Sequence, residues 1–198
     1  MTLPNKLTVL RIVMVPIFLV LLVTEFPHHY LAALLVFIFA SLTDLIDGKI
    51  ARRYNLITDL GKFLDPLADK MLTTAAFLGF MVCGIGGLKS MMWINFIVLT
   101  REFLVTSVRL MAAGGGKVVA ANIYGKMKTV TQMASIILAL LFEYLIWLDG
   151  SLELGLLAGA PTHVLRVIYC AVMWFSTVMA VISGIVYAVQ NREFVNSR

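Results

Sequence analysis

Four aspartates stand in two closely spaced pairs within a chain that is otherwise strongly apolar. Asp44 and Asp47 are three residues apart, and Asp65 and Asp69 are four residues apart. Residues at either spacing lie on one face of a helix, so each pair would present two carboxylates in the same direction. Four carboxylates that converge repel one another, and protons or metal ions must balance their charge. The pattern therefore indicates a cation site.

The ligand chemistry of these four residues, the aspartate cluster, favours a hard divalent cation. Its ligand atoms are all oxygens, and no histidine or cysteine is close in the sequence to favour zinc. Bridging carboxylates can hold two ions, Mg²⁺ or Mn²⁺, in the arrangement that serves in-line displacement at a phosphoryl group. The alternative is a structural network of ion pairs with nearby basic residues, which are Lys49, Arg52, Lys62 and Lys70.

Two glycines flank the aspartate cluster at positions where we expect helix. Gly48 follows Asp47 directly, and Gly61 precedes Asp65 by four residues. A glycine in a helix interior costs up to ~1 kcal/mol relative to alanine, so both positions need a reason. Either a neighbouring helix packs closely there, as small residues allow in membranes, or a flat ligand occupies the space. Because both glycines stand beside the carboxylates, we expect a ligand.

The elements that carry the aspartate cluster are predicted to be membrane helices. The chain has 198 residues, of which 61% are hydrophobic and 14% are charged, and its mean hydropathy is +0.94. A soluble domain of this size could not bury so much apolar surface, so lipid is the expected solvent. Six apolar segments are each about long enough to cross ~30 Å of hydrocarbon as a helix. Their approximate limits are 8–24, 31–53, 62–83, 91–112, 122–147 and 164–190.

The predicted architecture is a single all-α integral membrane domain over residues 1–198. It is a bundle of six transmembrane helices with a short cytoplasmic or interfacial segment at the N-terminus. Most of the basic residues fall on one side of this arrangement. By the positive-inside rule, both termini and the connections after the second and fourth segments are cytoplasmic. The aspartate cluster adjoins the first of these connections, so we expect its site to open to the cytoplasm.

The residues around the aspartate cluster match a known signature. They resemble the motif of the CDP-alcohol phosphotransferase family at all eight fixed positions, which read here Asp44-x-x-Asp47-Gly48-x-x-Ala51-Arg52, then eight residues, then Gly61-x-x-x-Asp65-x-x-x-Asp69. The stretches PNKLTVLRI, GKFLDPLADK, REFLVTSVRL and GKMKT are similar to those of bacterial members that use a glycerol phosphate acceptor. The resemblance covers residues 4–131, and residues 132–198 carry no identifying motif.

The resemblance implies a reaction and its cofactors. CDP-diacylglycerol would transfer its phosphatidyl group to a hydroxyl of sn-glycerol 3-phosphate, giving phosphatidylglycerophosphate and CMP. The aspartate cluster would hold two divalent cations, Mg²⁺ or Mn²⁺, on the pyrophosphate, and Asp69 would also act as the general base. Gly48, Ala51 and Gly61 would leave room for the cytidine, and Arg52 would help to hold the nucleotide.

The resemblance also implies partners and a location. The expected partners are the two substrates, the surrounding membrane lipid and a second copy of the chain in a homodimer, with no nucleic acid. The expected location is the bacterial cytoplasmic membrane, which the chain would cross several times with its active site facing the cytoplasm.

Four basic residues are candidates for binding the phosphate of the acceptor. Arg101 and Arg109 lie eight residues apart in the fourth segment and share a helix face. Lys126 and Lys128 begin the fifth segment at its cytoplasmic end. The alternatives are an ion pair of Arg101 with the adjacent Glu102 or with the aspartate cluster, and lysines that only set topology. We hypothesise that the four side chains form the glycerol-phosphate pocket.

The start of the first segment offers three further candidates. Asn5, Thr8 and Arg11 follow at three-residue steps and roughly line one helix face. Asn5 and Thr8 could contact the nucleotide, and Arg11 could contact a phosphate. The alternative for Asn5 and Thr8 is a role in capping the helix.

Three other functions remain possible from the residues alone. A related enzyme with the same motif could use inositol phosphate, serine or phosphatidylglycerol as its acceptor. An intramembrane prenyltransferase also uses aspartates and Mg²⁺, but it is expected to have more spans and a second acidic motif. A divalent-cation transporter would explain carboxylates in the membrane, yet it gives no purpose to Gly48, Ala51, Arg52 and Gly61.

Overall fold

Six helices form the part of the chain that the structure describes. The computed structural model describes residues 3–53, 59–114, 123–152 and 162–190. The helices are α1 (Leu3–Val23), α2 (His29–Arg53), α3 (Asp59–Cys83), α4 (Leu88–Gly114), α5 (Ile123–Leu152) and α6 (Thr162–Gln190). The six predicted helices are confirmed, and every end lies within five residues of its predicted position. Most of the helices extend a few residues beyond their predicted apolar segments, because backbone hydrogen bonding does not depend on side-chain hydropathy.

Successive helices run in opposite directions. The Cys83 thiol donates a hydrogen bond to the carbonyl oxygen of Leu22 at 3.5 Å, so α1 and α3 end at the same level. Lys70, early in α3, donates a hydrogen bond to the hydroxyl of Thr106, late in α4. Arg101 of α4 contacts Ser183 near the end of α6. We call the end where α1, α3 and α5 begin, and where the other three helices finish, the amino-terminal end.

Apolar packing joins the helices over most of the bundle. Helix α1 packs against α2 and α3, α4 packs against α3 and α6, and α5 packs against α2, α3 and α6. Phe18 of α1 and Phe37 of α2 are fully buried, with ring centroids 5.7 Å apart. A smaller apolar cluster of Val105, Val108 and Tyr187 joins α4 to α6 near the amino-terminal end. This packing holds the starts of the odd-numbered helices beside the ends of the even-numbered ones.

The bundle is apolar outside and carries polar side chains inside. Large apolar side chains such as Val82 and Phe103 are exposed along the helices. Buried polar residues occur in several helices, and they include Asn5, Thr8, Arg11, Asn95, Lys128, Gln132, Glu143, Ser176, Thr177 and Ser183. This distribution is the one expected where lipid surrounds the protein, because charged and polar groups are costly on a lipid-facing surface.

Four of the helices are long and apolar enough to cross a membrane, judged on the described residues. Their apolar spans are Asn5–Val23, Leu88–Arg109, Ile123–Leu152 and Thr162–Gln190. The described apolar stretches of α2 and α3 are shorter, at His29–Thr43 and Lys70–Cys83. The length and composition of the four spans indicate a membrane protein.

Gly79 of α3 lies at the closest approach to α1. A Cβ atom added at this glycine would lie 2.5 Å from Cδ2 of Leu22 and 3.4 Å from Cδ2 of Leu19. Leu22 is fully buried, so its side chain has little space into which it could move. Glycine at this position therefore sets the distance between α1 and α3, which both carry candidate site residues.

Replacing Gly79 by valine should destabilise the bundle. Overpacking a closely packed contact costs about 1–3 kcal/mol, so Gly79→Val should lower the Tm measured in detergent. Gly150→Val is the matched control, because Gly150 also lies in a helix and has no described atom within 4 Å of its added Cβ. Equal Tm values for the two variants would contradict this account of the α1–α3 contact.

Candidate functional site

The helical positions of the aspartate cluster all lie at the amino-terminal end. Asp44 and Asp47 belong to the last part of α2, and Asp65 and Asp69 belong to the first part of α3. Helices α2 and α3 run in opposite directions and contact each other. The backbone therefore brings both pairs to the same end of two neighbouring helices.

The side chains of the aspartate cluster lie outside the described residues. The same holds for the side chains of Ala51 and Arg52 and for the surroundings of Gly48 and Gly61, although all four positions are helical. Among the described side chains, no group of three histidines, cysteines or carboxylates could hold a metal ion. The donor set of four carboxylates on two adjacent helices fits Mg²⁺ or Mn²⁺, since both ions prefer oxygen ligands. The convergence of the four carboxylates stays a prediction.

The start of α1 presents a buried polar face towards the helices of the aspartate cluster. Asn5 and Thr8 are buried, and Arg11 is only 1% exposed. Since α1 packs against α2 and α3, these side chains face that part of the bundle. An arginine inside a membrane protein is costly unless it faces a polar interior. Arg11 therefore belongs to the polar interior at the amino-terminal end.

A part-buried carboxylate joins two of the predicted phosphate-binding residues. Oε1 of Glu102 accepts hydrogen bonds from Nη1 of Arg101 at 3.0 Å and from Nζ of Lys128 at 2.7 Å. Nη2 of Arg101 also donates a hydrogen bond to Oγ of Ser183 at 2.6 Å. We call Arg101, Glu102, Lys128 and Ser183 the Glu102 cluster. It connects α4, α5 and α6, and its Arg101–Glu102 ion pair is one of the alternatives considered for Arg101.

A short chain of hydrogen bonds links the Glu102 cluster to α3. Oγ1 of Thr106 donates to the carbonyl oxygen of Glu102 at 2.7 Å and accepts a hydrogen bond from Lys70. Lys70 directly follows Asp69 in the sequence. The Glu102 cluster and the aspartate-bearing part of α3 are therefore held at neighbouring levels of the bundle.

Small residues on α5 and α6 make room for Arg101. A Cβ atom added at Gly184 would lie 3.0 Å from Cγ of Arg101, and one added at Gly125 would lie 3.7 Å from its Nη2. No role for Ser183 or Gly184 was predicted from the sequence. The signal that could have found them is the pair of adjacent small residues in a membrane helix, which often marks a close helix contact.

The other two predicted phosphate-binding residues lie nearer the surface. Arg109 is exposed, and its Cζ lies 5.7 Å from the ring centroid of Tyr187, within the range of a cation–π contact. Lys126 is exposed in the first turn of α5. Arg109 lies two turns from Arg101 towards the amino-terminal end, as its sequence spacing predicts. Whether these four basic residues share one pocket stays a prediction.

An open cavity of ≈ 650 Å³ lies at the opposite end of the bundle. Its lining includes Tyr30, the turn at 84–87, Glu143, Arg166 and Tyr169. The Glu143 carboxylate accepts hydrogen bonds from Arg166 at 3.2 and 3.3 Å and from the Tyr169 hydroxyl at 2.6 Å. Because this cavity and the aspartate cluster lie at opposite ends, we do not assign it to the chemistry.

The chain is similar in sequence to known proteins over most of its length. The sequence profile of CDP-alcohol phosphatidyltransferase matches residues 1–182. A Bacillus subtilis protein named CDP-diacylglycerol–glycerol-3-phosphate 3-phosphatidyltransferase is 42% identical over 146 residues, which cover 68% of this chain and 74% of the relative. A Mycobacterium tuberculosis protein named probable phosphatidylglycerophosphate synthase is 36% identical over 93% of this chain and 79% of its own length. A Rickettsia bellii protein with the same name as the B. subtilis relative is 31% identical over 93% of this chain and 92% of its own length.

Removal of the Glu102 carboxylate should leave the buried Lys128 and the part-buried Arg101 without this partner. Loss of one member of a fully buried ion pair typically costs about 3–5 kcal/mol. Glu102 is part-buried, so the cost of Glu102→Ala should be smaller but still lower the Tm clearly. Adding Lys128→Met should restore part of the loss, because one of the two cations is then gone. The measurement is thermal unfolding of both single variants and the double variant in detergent. Strictly additive effects of the two substitutions would contradict a direct interaction.

Proposed function

Because the chain belongs to the CDP-alcohol phosphatidyltransferase family, we propose that it transfers the phosphatidyl group of CDP-diacylglycerol to sn-glycerol 3-phosphate, giving phosphatidylglycerophosphate and CMP. Relatives from three bacterial genera carry names that state this activity or its product. The observation that carries the proposal is the complete eight-position motif on α2 and α3, at the same end of the bundle as the Glu102 cluster.

The aspartate cluster is proposed to bind the reacting diphosphate through two divalent cations, Mg²⁺ or Mn²⁺. When bound, such cations neutralise charge on the phosphoryl oxygens and on the departing CMP. Asp69 would accept the proton of the acceptor hydroxyl, whose oxygen forms a bond to the phosphorus that carries diacylglycerol. The bond from that phosphorus to the oxygen of CMP then breaks, and CMP leaves with the electron pair.

The nucleotide end of CDP-diacylglycerol is proposed to lie against the first three helices. Gly48, Ala51 and Gly61 would leave space for the cytidine, and Arg52 would bind the nucleotide. Asn5 and Thr8 are buried on the face of α1 that packs against α2 and α3, which supports a contact with the same substrate.

The acceptor phosphate is proposed to bind the basic residues of α4 and α5. Arg101 and Lys128 are held side by side by Glu102, so two donors already share one location. Arg109 and Lys126 would draw the anion in from the surface, and Arg11 would add a further cation from α1. Arginine and lysine both bind phosphate through charge-assisted hydrogen bonds, which are stronger than neutral ones.

We extend the proposal to the membrane arrangement of the whole chain. Residues 1–198 would form one domain with six transmembrane helices in the bacterial cytoplasmic membrane. Helices α2 and α3 have 25 residues each, which is long enough to span ~30 Å of hydrocarbon at 1.5 Å per residue. Both termini and the active site would face the cytoplasm, where the polar acceptor and CMP exchange with water. The active form would be a homodimer.

The reaction is tested by CMP release from CDP-diacylglycerol with a panel of acceptors. With Mg²⁺ or Mn²⁺, the purified protein should release CMP rapidly with glycerol 3-phosphate and only slowly with inositol phosphate, serine or phosphatidylglycerol. Asp69→Asn should lower kcat at least about 100-fold, since general-base catalysis commonly contributes that much. Asp149→Asn, at the far end of α5, should retain activity. Absence of CMP release with every acceptor would overturn the proposed function.

The acceptor pocket is tested by neutralising Arg109. Loss of a charge-assisted hydrogen bond costs about 1.5–3 kcal/mol, so Arg109→Gln should raise the KM for glycerol 3-phosphate tenfold or more. The KM for CDP-diacylglycerol should change much less. Lys89→Gln is the matched control, because Lys89 is an exposed cation at the opposite end of α4. An equal rise in both KM values would count against Arg109 as an acceptor contact.

A further inference from the structure

Gln132 of α5 is a buried amide whose hydrogen-bonding groups are unused. Its side chain is only 1% exposed, and neither Nε2 nor Oε1 has a hydrogen-bond partner among the described residues. Ser135, Ser176 and Thr177 are buried as well, but each donates its hydroxyl to a backbone carbonyl. An unsatisfied buried donor or acceptor costs about 1–3 kcal/mol, so an amide with both groups unused calls for an explanation.

The position of Gln132 places it next to the Glu102 cluster. Gln132 lies four residues beyond Lys128, which puts both side chains on one face of α5 and about 6 Å apart along the helix axis. The neighbouring residue Met133 contacts Ser41 of α2, with Sδ 3.9 Å from Oγ. Ser41 precedes Asp44 by three residues. The amide therefore lies near the level of Ser41, farther from the amino-terminal end than both Lys128 and the start of the aspartate cluster on α2.

The donor and acceptor groups of the Gln132 amide indicate which kind of ligand it can bind. A primary amide offers one acceptor group and one donor group, and a hydroxyl can accept from one and donate to the other. Lys128, one helical turn away, and Arg101, which shares the Glu102 carboxylate with it, supply the cations that a phosphate requires. A small acceptor that carries a phosphate and hydroxyls on a three-carbon chain can reach both kinds of group.

We propose that Gln132 binds the hydroxyl of glycerol 3-phosphate that does not react, and that it thereby selects this acceptor. The proposal rests on the proposed function. Binding of the substrate would satisfy the amide and compensate the cost of leaving it unpaired in the free protein. An acceptor without this hydroxyl would leave the amide unpaired, and buried polar groups left unpaired are a strong source of discrimination.

The test compares two acceptors on three proteins. Propane-1,3-diol monophosphate keeps the phosphate and a terminal hydroxyl, but it lacks the central hydroxyl of glycerol 3-phosphate. The wild-type protein should prefer glycerol 3-phosphate by about 100-fold or more in kcat/KM, and Gln132→Met should prefer it by less than about tenfold. Asn95→Leu is the matched control, because Asn95 is a second buried amide without a described partner, but it lies on α4, about 9 Å along the helix from Arg101. It should keep the wild-type preference.

The outcomes separate this inference from the proposed function. If the wild-type protein uses no acceptor, the proposed function fails. If it is active but Gln132→Met keeps the wild-type preference, or if the wild-type protein does not discriminate, only the role of Gln132 is overturned. Should Gln132→Met lose all turnover, Gln132→Asn is compared in its place, and an unchanged preference there also overturns the proposal.

Thermal unfolding provides a second readout, because a purely structural role of Gln132 predicts the opposite change in Tm. Replacing an unpartnered buried amide by an apolar side chain of similar size is neutral or stabilising, so Gln132→Met should keep or raise the Tm without substrate. A clear fall in Tm would show that the amide stabilises the fold itself, and it would contradict the proposal.

Discussion

Charge buried inside an apolar bundle has to be balanced locally, and the rest of the architecture depends on that constraint. The outer surface of the helices is largely apolar, and the charged side chains of Arg11, Lys128 and Glu143 are buried in the interior. Glu102 binds Arg101 and Lys128, and at the opposite end the buried Glu143 binds the exposed Arg166. The Glu102 cluster thus connects α4, α5 and α6 through ion pairs whose loss costs free energy of folding in a medium of low dielectric constant.

The same constraint gives the amino-terminal end its chemical character. Aspartates on α2 and α3 occur there with the cations of α4 and α5 and the buried polar face of α1. Lys70 and Thr106 connect the aspartate-bearing part of α3 to the Glu102 cluster. A phosphoryl transfer needs negative ligands for cations and positive groups for the acceptor phosphate, and this end of the bundle provides both kinds of residue.

The sequence predicted the helices well, including the two that carry the aspartate positions, because helices follow from local properties. Apolar segments mark spans, and the direction of successive helices then decides which segment ends lie together. Partners across the bundle were harder to predict. Ser183 and Gly184 contact Arg101 from 82 and 83 residues away, and the apolar pattern of α6 does not indicate which face meets α4. The unsatisfied amide of Gln132 is likewise a property of the packed structure, and the hydropathy pattern of the sequence does not indicate it.

The central claim is that the four aspartates of α2 and α3 converge on bound divalent cations. Anomalous diffraction from crystals soaked in Mn²⁺ tests it most directly. The account predicts two manganese peaks between α2 and α3, within coordination distance of the carboxylates of Asp44, Asp47, Asp65 and Asp69. Carboxylates that point apart into the lipid, with no manganese between these helices, would contradict it.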